Sequence, residues 1–479
     1  MPPDEFRQHG HALVEWIARY FETIVQRPVL PGSTPGALRD ALPDSAPESA
    51  EPFEDVLADL DRLIVPHATH WNHPGFFAYF AITGSGPGVL MDFVSSALNQ
   101  QAMLWRTSPA ATELESVMVR WLARLMHLPD AMDGVIYDTA SISTLHALAA
   151  AREAAIPHVR TQGLRSGSTQ QPVRVYCSDQ AHSSVDKAVI LLGLGHDALC
   201  RVTSDERFRM SVAALREAVA RDRAADVMPI AVVATVGTTS TTSADPVAAI
   251  AEVCESEGLW LHVDAAYAGV AAMIPERRPM FAGWERADSV VINPHKWLFV
   301  PFDLSAFYTR RMDVLRQAFA LVPEYLRTAE GSAGVANLMD TGVQLGRRFR
   351  ALKLWMVLRT YGAEGIRALL EEHMRLARMF AAWVDADPRF ERMAPTPFSV
   401  VCFRSVRRNL RPSDLDAFNE RLLDAVNATG EVFLSHTRLN GAVALRLAVG
   451  HMRTTEVHVA RAWELLQEKA TEVAASDVG

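Results

Sequence analysis

The chain has 479 residues, 49% of them hydrophobic and 22% charged, enough for two or three domains and a large core. Its net charge of −9 argues against a general nucleic-acid binder. No run of about 18 apolar residues occurs, so no membrane span is expected, and the four cysteines (Cys177, Cys200, Cys254, Cys402) lack CxxC spacing, which suits a reduced cytoplasm better than a disulfide scaffold or a zinc cluster.

The opening MPPDEFRQHGHALVEW is acidic and has no apolar core of a signal peptide. Leu13, Ile17, Tyr20/Phe21 and Ile24 recur at helical spacing, predicting a helix over 4–26. Residues 28–52, PVLPGSTPGALRDALPDSAPESAEP, are rich in proline and small residues and too long for an ordinary connector. They are expected to be largely irregular and to cross a partner's surface, with a helical pattern resuming at Phe53–Ile64.

From about residue 130 short apolar runs alternate with helical patterns. The predicted strands are 134–137, 173–179, 198–202, 229–237, 259–264, 289–293 and 304–310. Helices are expected at Ser143–Ala154, Ser183–Gly193, Val212–Ala220, Pro246–Glu257 and Arg347–Tyr361. Such alternation means an α/β fold with a mostly parallel sheet covered on both faces. The runs 398–403 and 442–449 point to a smaller α+β C-terminal domain. The expected division is 1–80, an N-terminal helical segment; 81–361, the large α/β domain; and 362–479, the small domain.

Ligands of parallel sheets sit beyond the strand carboxyl ends, so the residues after each strand carry the functional reading. After the first strand comes DTASIST (138–144), whose hydroxyls and free helix-end N–H groups suit a phosphate; simple capping by Thr139 or Ser141 is the plain alternative. His182 stands at the turn after the second strand, and TTSTT (238–242) follows the fourth. Asp264 ends the fifth strand, where a carboxylate needs a cationic partner. After the sixth strand, NPHKW sets Lys296 among apolar residues: either its ammonium reaches water or its amine does chemistry. An amine, a carboxylate, an imidazole and a phosphate cradle on one rim together fit pyridoxal 5′-phosphate, which needs a lysine for its aldehyde and an acid beside its ring nitrogen.

The motifs HVDAAYAG (262–269), NPHKW (293–297), DQAHSSVDKA (179–188), VGTTSTTS (236–243), LGRRFRALKLW (345–355) and HWNHPGFFAYF (70–80) resemble the group II pyridoxal-phosphate decarboxylases, most closely the aromatic-L-amino-acid decarboxylase branch. The resemblance spans nearly the whole chain. It implies a fold-type I, aspartate-aminotransferase-like homodimer with a seven-stranded sheet, the N-terminal segment clasping the partner. It also implies that Lys296 binds the cofactor aldehyde, Asp264 pairs with the ring nitrogen, His182 stacks on the ring and Ala266 packs on its other face. Thr139, Ala140, Ser141, Asn293 and His295 serve the phosphate side, and Thr239 lies near the 3′-oxygen. Trp71, Tyr79 and Phe80 line the substrate pocket, while Gln101 and Met103 match positions that come from the second subunit. The implied reaction converts an aromatic L-amino acid to an arylalkylamine and CO2, with no metal.

The sequence departs from the family in three places. Leu338 stands where the family often has a loop tyrosine that protonates Cα; Tyr325 does not align with it. This leaves His182 or a water as proton donor and opens an alternative outcome, oxidative deamination to an aldehyde. Phe80-Ala81-Ile82 replaces Phe-Pro-Thr, and Asp138 precedes the hydroxyl residues where glycine or asparagine is common, so that it repels a phosphate unless turned away. An aminotransferase would require an arginine for the substrate carboxylate, with Arg446 as candidate, and a cofactor-free binding protein would lack the yellow band at roughly 420 nm.

Overall fold

All seven predicted central runs form strands of one sheet: β1 (Asp133–Tyr137), β2 (Val173–Ser178), β3 (Leu199–Val202), β4 (Met228–Thr235), β5 (Trp260–Asp264), β6 (Ser289–Ile292) and β7 (Ser305–Thr309). They lie in the order β1-β7-β6-β5-β4-β2-β3. Six run parallel; β7 is antiparallel to both β6 and β1. This computed structural model describes residues 1–156, 158–164, 171–321, 337–407 and 410–476.

The strands read as continuous apolar runs because both faces are covered. Every residue of β5, β6 and β7 is buried, as are all but the first of β4. Val175, Ala231, Val233 and Phe307 join Ala147, Leu148, Ala151, Val185 and Val189 from the helices Ala140–Ala155 and Ser184–Leu191 in one core cluster. Burying each Val- or Leu-sized side chain contributes about 1.5–3 kcal/mol, which fixes which face of each helix meets the sheet.

By internal packing the chain divides into two units. One comprises Ile82–Ala382 and Arg392–Cys402 and holds the seven-stranded sheet; the other comprises Met1–Ala81, Trp383–Glu391 and Phe403–Gly479. Four further strands, β8 (Phe390–Arg392), β9 (Val400–Ser405), β10 (Ser435–Leu439) and β11 (Ala442–Ala448), pair in the order β10-β11-β9-β8. The first helix spans Pro3–Thr23, and residues 28–52 are irregular apart from the short helix Ala37–Ala41.

One boundary of the long helix is corrected and the other is met. The helix predicted to begin at Arg347 begins at Ala351; Arg347, ahead of it, gives its N–H to Gln101 Oε1 and its guanidinium to Glu115. Its end at Gly362 is as expected: that glycine, at φ 62° and ψ 170°, breaks the helical path, and a second helical stretch follows to Ala386. The helices Gly86–Leu98 and Pro109–Leu125 had no counterpart in the sequence reading.

Candidate active site

Because β1, β2, β4, β5 and β6 run parallel, the residues that follow them collect on one edge of the sheet. Asp264 closes β5 opposite Thr235 on β4 and Val291 on β6. One helical turn, Pro294–Trp297, then carries Lys296, whose N–H donates to Asn293 O at 2.9 Å. Trp297, Leu298, Phe299 and Val300 are fully buried, so the turn is anchored by apolar packing. Trp297 stacks on Tyr267 at 4.9 Å and donates its indole N–H to His373 Nδ1 at 2.9 Å.

Lys296 is half-buried, and desolvation of its amine lowers its pKa from the ordinary lysine value, opposed by the Asp264 carboxylate. A neutral amine is a nucleophile, whereas an ammonium is not. Asp264 Oδ1 accepts the N–H of Ala266 at 3.0 Å, and Ala266 O accepts the N–H of Asn293 at 3.0 Å. These bonds lock the β5 and β6 termini together.

His182 Nδ1 accepts the N–H of Ser184 at 3.1 Å. In the neutral ring the proton is therefore on Nε2. Its pKa is lowered, first by desolvation and with Lys296 adding to the effect, while Asp264 acts in the opposite direction. His295 repeats the pattern: Nδ1 accepts the N–H of Leu304 at 2.9 Å, and burial with the neighbouring Lys296 pushes its pKa down to about 3.

The hydroxyl run after β4 is mostly inward. Thr238, Thr241 and Ser243 bond one another at 2.9–3.1 Å and are buried, with Thr241 linked to both of the others; Thr239 is the exposed member of 238–242. Gly237 permits this turn at φ +91°, with a Cβ there only 2.6 Å from Ala268 Cβ.

The first turn of Ala140–Ala155 is tied to the same rim. Ser143 Oγ lies 2.9 Å from Ser305 Oγ, beside the Leu304 that engages His295. The capping expected of Thr139 is not realised: no side chain caps this helix. Thr139 instead gives its N–H and hydroxyl to Asp138 Oδ1, at 2.5 and 3.0 Å, and Asp138 Oδ2 accepts from Gln344 Nε2 at 3.1 Å. Ala140 is half-buried and Ser141 exposed.

The other predicted residues have partners of their own. In the unit containing the N-terminal segment, Trp71 stacks on Phe76 at 4.4 Å and Tyr79 at 6.0 Å, and Phe433 edges onto Tyr79. Arg446 is buried, donates to Ser435 Oγ at 2.9 Å and covers the Phe80 ring at 5.5 Å. That commits the arginine proposed for a transaminase carboxylate to packing. Gln101 Oε1 accepts the N–H of Arg347 at 2.8 Å, and Met103 packs with Leu104 and Met339. Leu338 is buried in the core cluster, while Tyr325 lies outside the described residues.

The donor set fits pyridoxal phosphate. It offers a lysine amine whose pKa is lowered by desolvation and raised by the Asp264 carboxylate, an imidazole at the rim with its pKa lowered, and the buried Asn293 Oδ1 with no hydrogen-bond partner. Turned over, that amide presents N–H donors to an anion.

The model of the pyridoxal-dependent decarboxylase conserved domain matches residues 35–406. The chain belongs to the pyridoxal-dependent decarboxylase family. Its cofactor is pyridoxal 5′-phosphate and its reaction class that of a carboxy-lyase. It is 41% identical to an aromatic-L-amino-acid decarboxylase of Sus scrofa, over 100% of this chain and 99% of the relative. It is equally 41% identical to a phenylacetaldehyde synthase of Arabidopsis thaliana, over 98% and 97%. A crystal structure of Oryza sativa TDC with PLP and tryptamine superposes with a TM-score of 0.95 at 37% identity, covering 98% of this chain and 99% of that one.

The sequence reading missed the supports behind this family site. Arg347 and Glu115, both buried, form an ion pair at 2.6 Å. Arg347 also donates to Ile136 O at 2.7 Å, and Glu115 accepts the Ile136 N–H at 2.8 Å. Tyr137 donates to Thr341 O, and His146 Nε2 accepts the Val343 N–H at 3.3 Å. The LGRRFR motif signalled Arg347; nothing local signalled Glu115, 232 residues away.

Proposed function

We infer that this enzyme decarboxylates aromatic L-amino acids to arylalkylamines, with Lys296, Asp264 and His182 as its catalytic residues. The observation that carries this is Lys296 on the turn after β6, with Asp264 closing the adjacent parallel strand β5 at the same edge of the sheet. When bound, pyridoxal phosphate supplies a carbonyl that captures the substrate amine and a ring that accepts the electron pair left by departing CO2. Lys296 holds the cofactor and is exchanged for substrate. Asp264 sets a negative charge against the ring nitrogen and favours its protonated form. His182 would cover one ring face, and with Nδ1 accepting the Ser184 N–H its Nε2 proton would be the one available to Cα. Ala266 would lie against the other face. Asn293, His295, Thr139, Ala140 and Ser141 attend the phosphate, and Thr239 the 3′-oxygen. Trp71, Tyr79 and Phe80 contact the aromatic side chain.

The active form is a homodimer, Gln101 and Met103 matching positions that the family brings from the second subunit. Supporting this, Leu90, Phe93, Val94 and Leu98 line one exposed face of the helix Gly86–Leu98. A cytoplasmic setting accords with four free cysteines. Among the described residues no helix is long and apolar enough to cross a membrane.

One observation favours a second outcome. Leu338, buried and apolar, has no proton to give at the position where the family often has a tyrosine, which opens the route to aldehyde, CO2, ammonia and hydrogen peroxide, with one O2 and one water consumed per amino acid. The test is product analysis in air, with the cofactor-loaded enzyme and a panel of aromatic L-amino acids. Amine and CO2 without peroxide support decarboxylation; stoichiometric aldehyde and peroxide overturn it in favour of the oxidative outcome.

A further inference from the structure

We propose that Asp138 is an internal anion that competes with the cofactor's phosphate and sets how loosely pyridoxal phosphate is held. The proposal rests on the assignment of Thr139–Ser141 to the phosphate. Asp138 lies between the end of β1 and the start of the helix Ala140–Ala155. The positive end of a helix favours an anion, and its free N–H groups are the donors a phosphate uses. Here the chain brings an anion of its own. Asp138 Oδ1 takes both donors of Thr139, the N–H at 2.5 Å and the hydroxyl at 3.0 Å.

A phosphate arriving at this turn meets a carboxylate rather than two open donors. It must displace Oδ1 from Thr139 and bear the repulsion of a like charge. The structure also supplies the place to which the carboxylate can retreat. Gln344 Nε2 already donates to Oδ2 at 3.1 Å, and Gln344 sits just beyond Thr341 and Val343, which Tyr137 and His146 fasten to the same strand and helix. Asp138 therefore tunes affinity; it is not a catalytic residue.

The test is titration of the cofactor-free enzyme with pyridoxal phosphate and, separately, with pyridoxal, which lacks the phosphate. Binding is read from intrinsic fluorescence and from the Schiff-base absorbance. Asp138→Asn keeps the shape and removes the charge; Asp138→Gly removes the side chain and guards against a folding defect in the first variant. The expected result is pyridoxal phosphate bound about ten- to a hundred-fold more tightly by both variants, the worth of one charge-assisted hydrogen bond, with pyridoxal unchanged. Affinity for pyridoxal phosphate that stays at the wild-type level or weakens overturns the proposal. Ser141→Ala separates the two failures. If Ser141→Ala weakens pyridoxal phosphate relative to pyridoxal while the Asp138 variants change nothing, the cradle stands and Asp138's role falls. If Ser141→Ala leaves that ratio untouched, the cradle assignment itself falls, and the proposal with it.

Discussion

Replacing Glu115 by alanine should destabilise the enzyme more than any comparable surface change. Glu115 and Arg347 pair at 2.6 Å with both side chains buried. Removing one partner of such a pair costs about 3–5 kcal/mol, because the other charge is left without compensation. Glu115 also accepts the Ile136 N–H, and an orphaned buried donor costs roughly 1–3 kcal/mol. The two penalties overlap, so a total of about 4 kcal/mol is expected. Glu115→Gln retains an acceptor and should lose only about half as much. The double variant Glu115→Leu/Arg347→Met removes both charges and should be far less damaging than Glu115→Ala plus Arg347→Met taken singly. Urea-unfolding midpoints of the cofactor-free wild type and the four variants measure this. Glu115→Ala within about 1 kcal/mol of wild type, or a double variant at the sum of the singles, would refute the reasoning. Because Ile136 stands two residues before Asp138, the same variant should also loosen cofactor binding.

Three further outcomes are expected. Lys296→Ala should abolish turnover and the absorbance at roughly 420 nm, and Asp264→Asn should cost orders of magnitude in turnover at about 1.4 kcal/mol per factor of ten; wild-type rates in either would remove that residue from the mechanism. Burial pushes His146 down to about 4, so the unfolded chain binds its proton first and stability is lost as pH falls from about 6.5 towards 4. His146→Gln should therefore spare roughly 2 kcal/mol of the stability lost between pH 7 and pH 5, read from urea midpoints at the two values; an unchanged pH dependence counts against it. Gly237→Ala should cost roughly 2–4 kcal/mol, since the turn holds φ +91° and the new methyl meets Ala268, so an unaltered melting temperature would contradict the packing described.

The central sheet was legible because its strands are apolar on both sides and separated by amphipathic helices, a local pattern. The candidate site residues were legible for a related reason: parallel strands deliver their following residues to one edge, so Asp264, His182 and Lys296 could be assigned to the same edge of the sheet without coordinates. The helices Gly86–Leu98 and Pro109–Leu125 were less legible, lying before the strand–helix alternation began.

The sequence by itself determined the fold class and the family motifs, and with them the positions of the lysine, aspartate and histidine along the strands. Only the tertiary structure decided how those groups are set. It showed that Thr139's donors are spent on Asp138, that Thr239 is the outward hydroxyl of its turn, and that Arg446 is occupied by Ser435 and the Phe80 ring. It also supplied Glu115 as partner to Arg347. The reason is physical: a motif specifies which functional groups the chain carries, whereas the orientation, desolvation and hydrogen-bond partners of each group depend on residues distant in sequence that folding brings within a few ångströms.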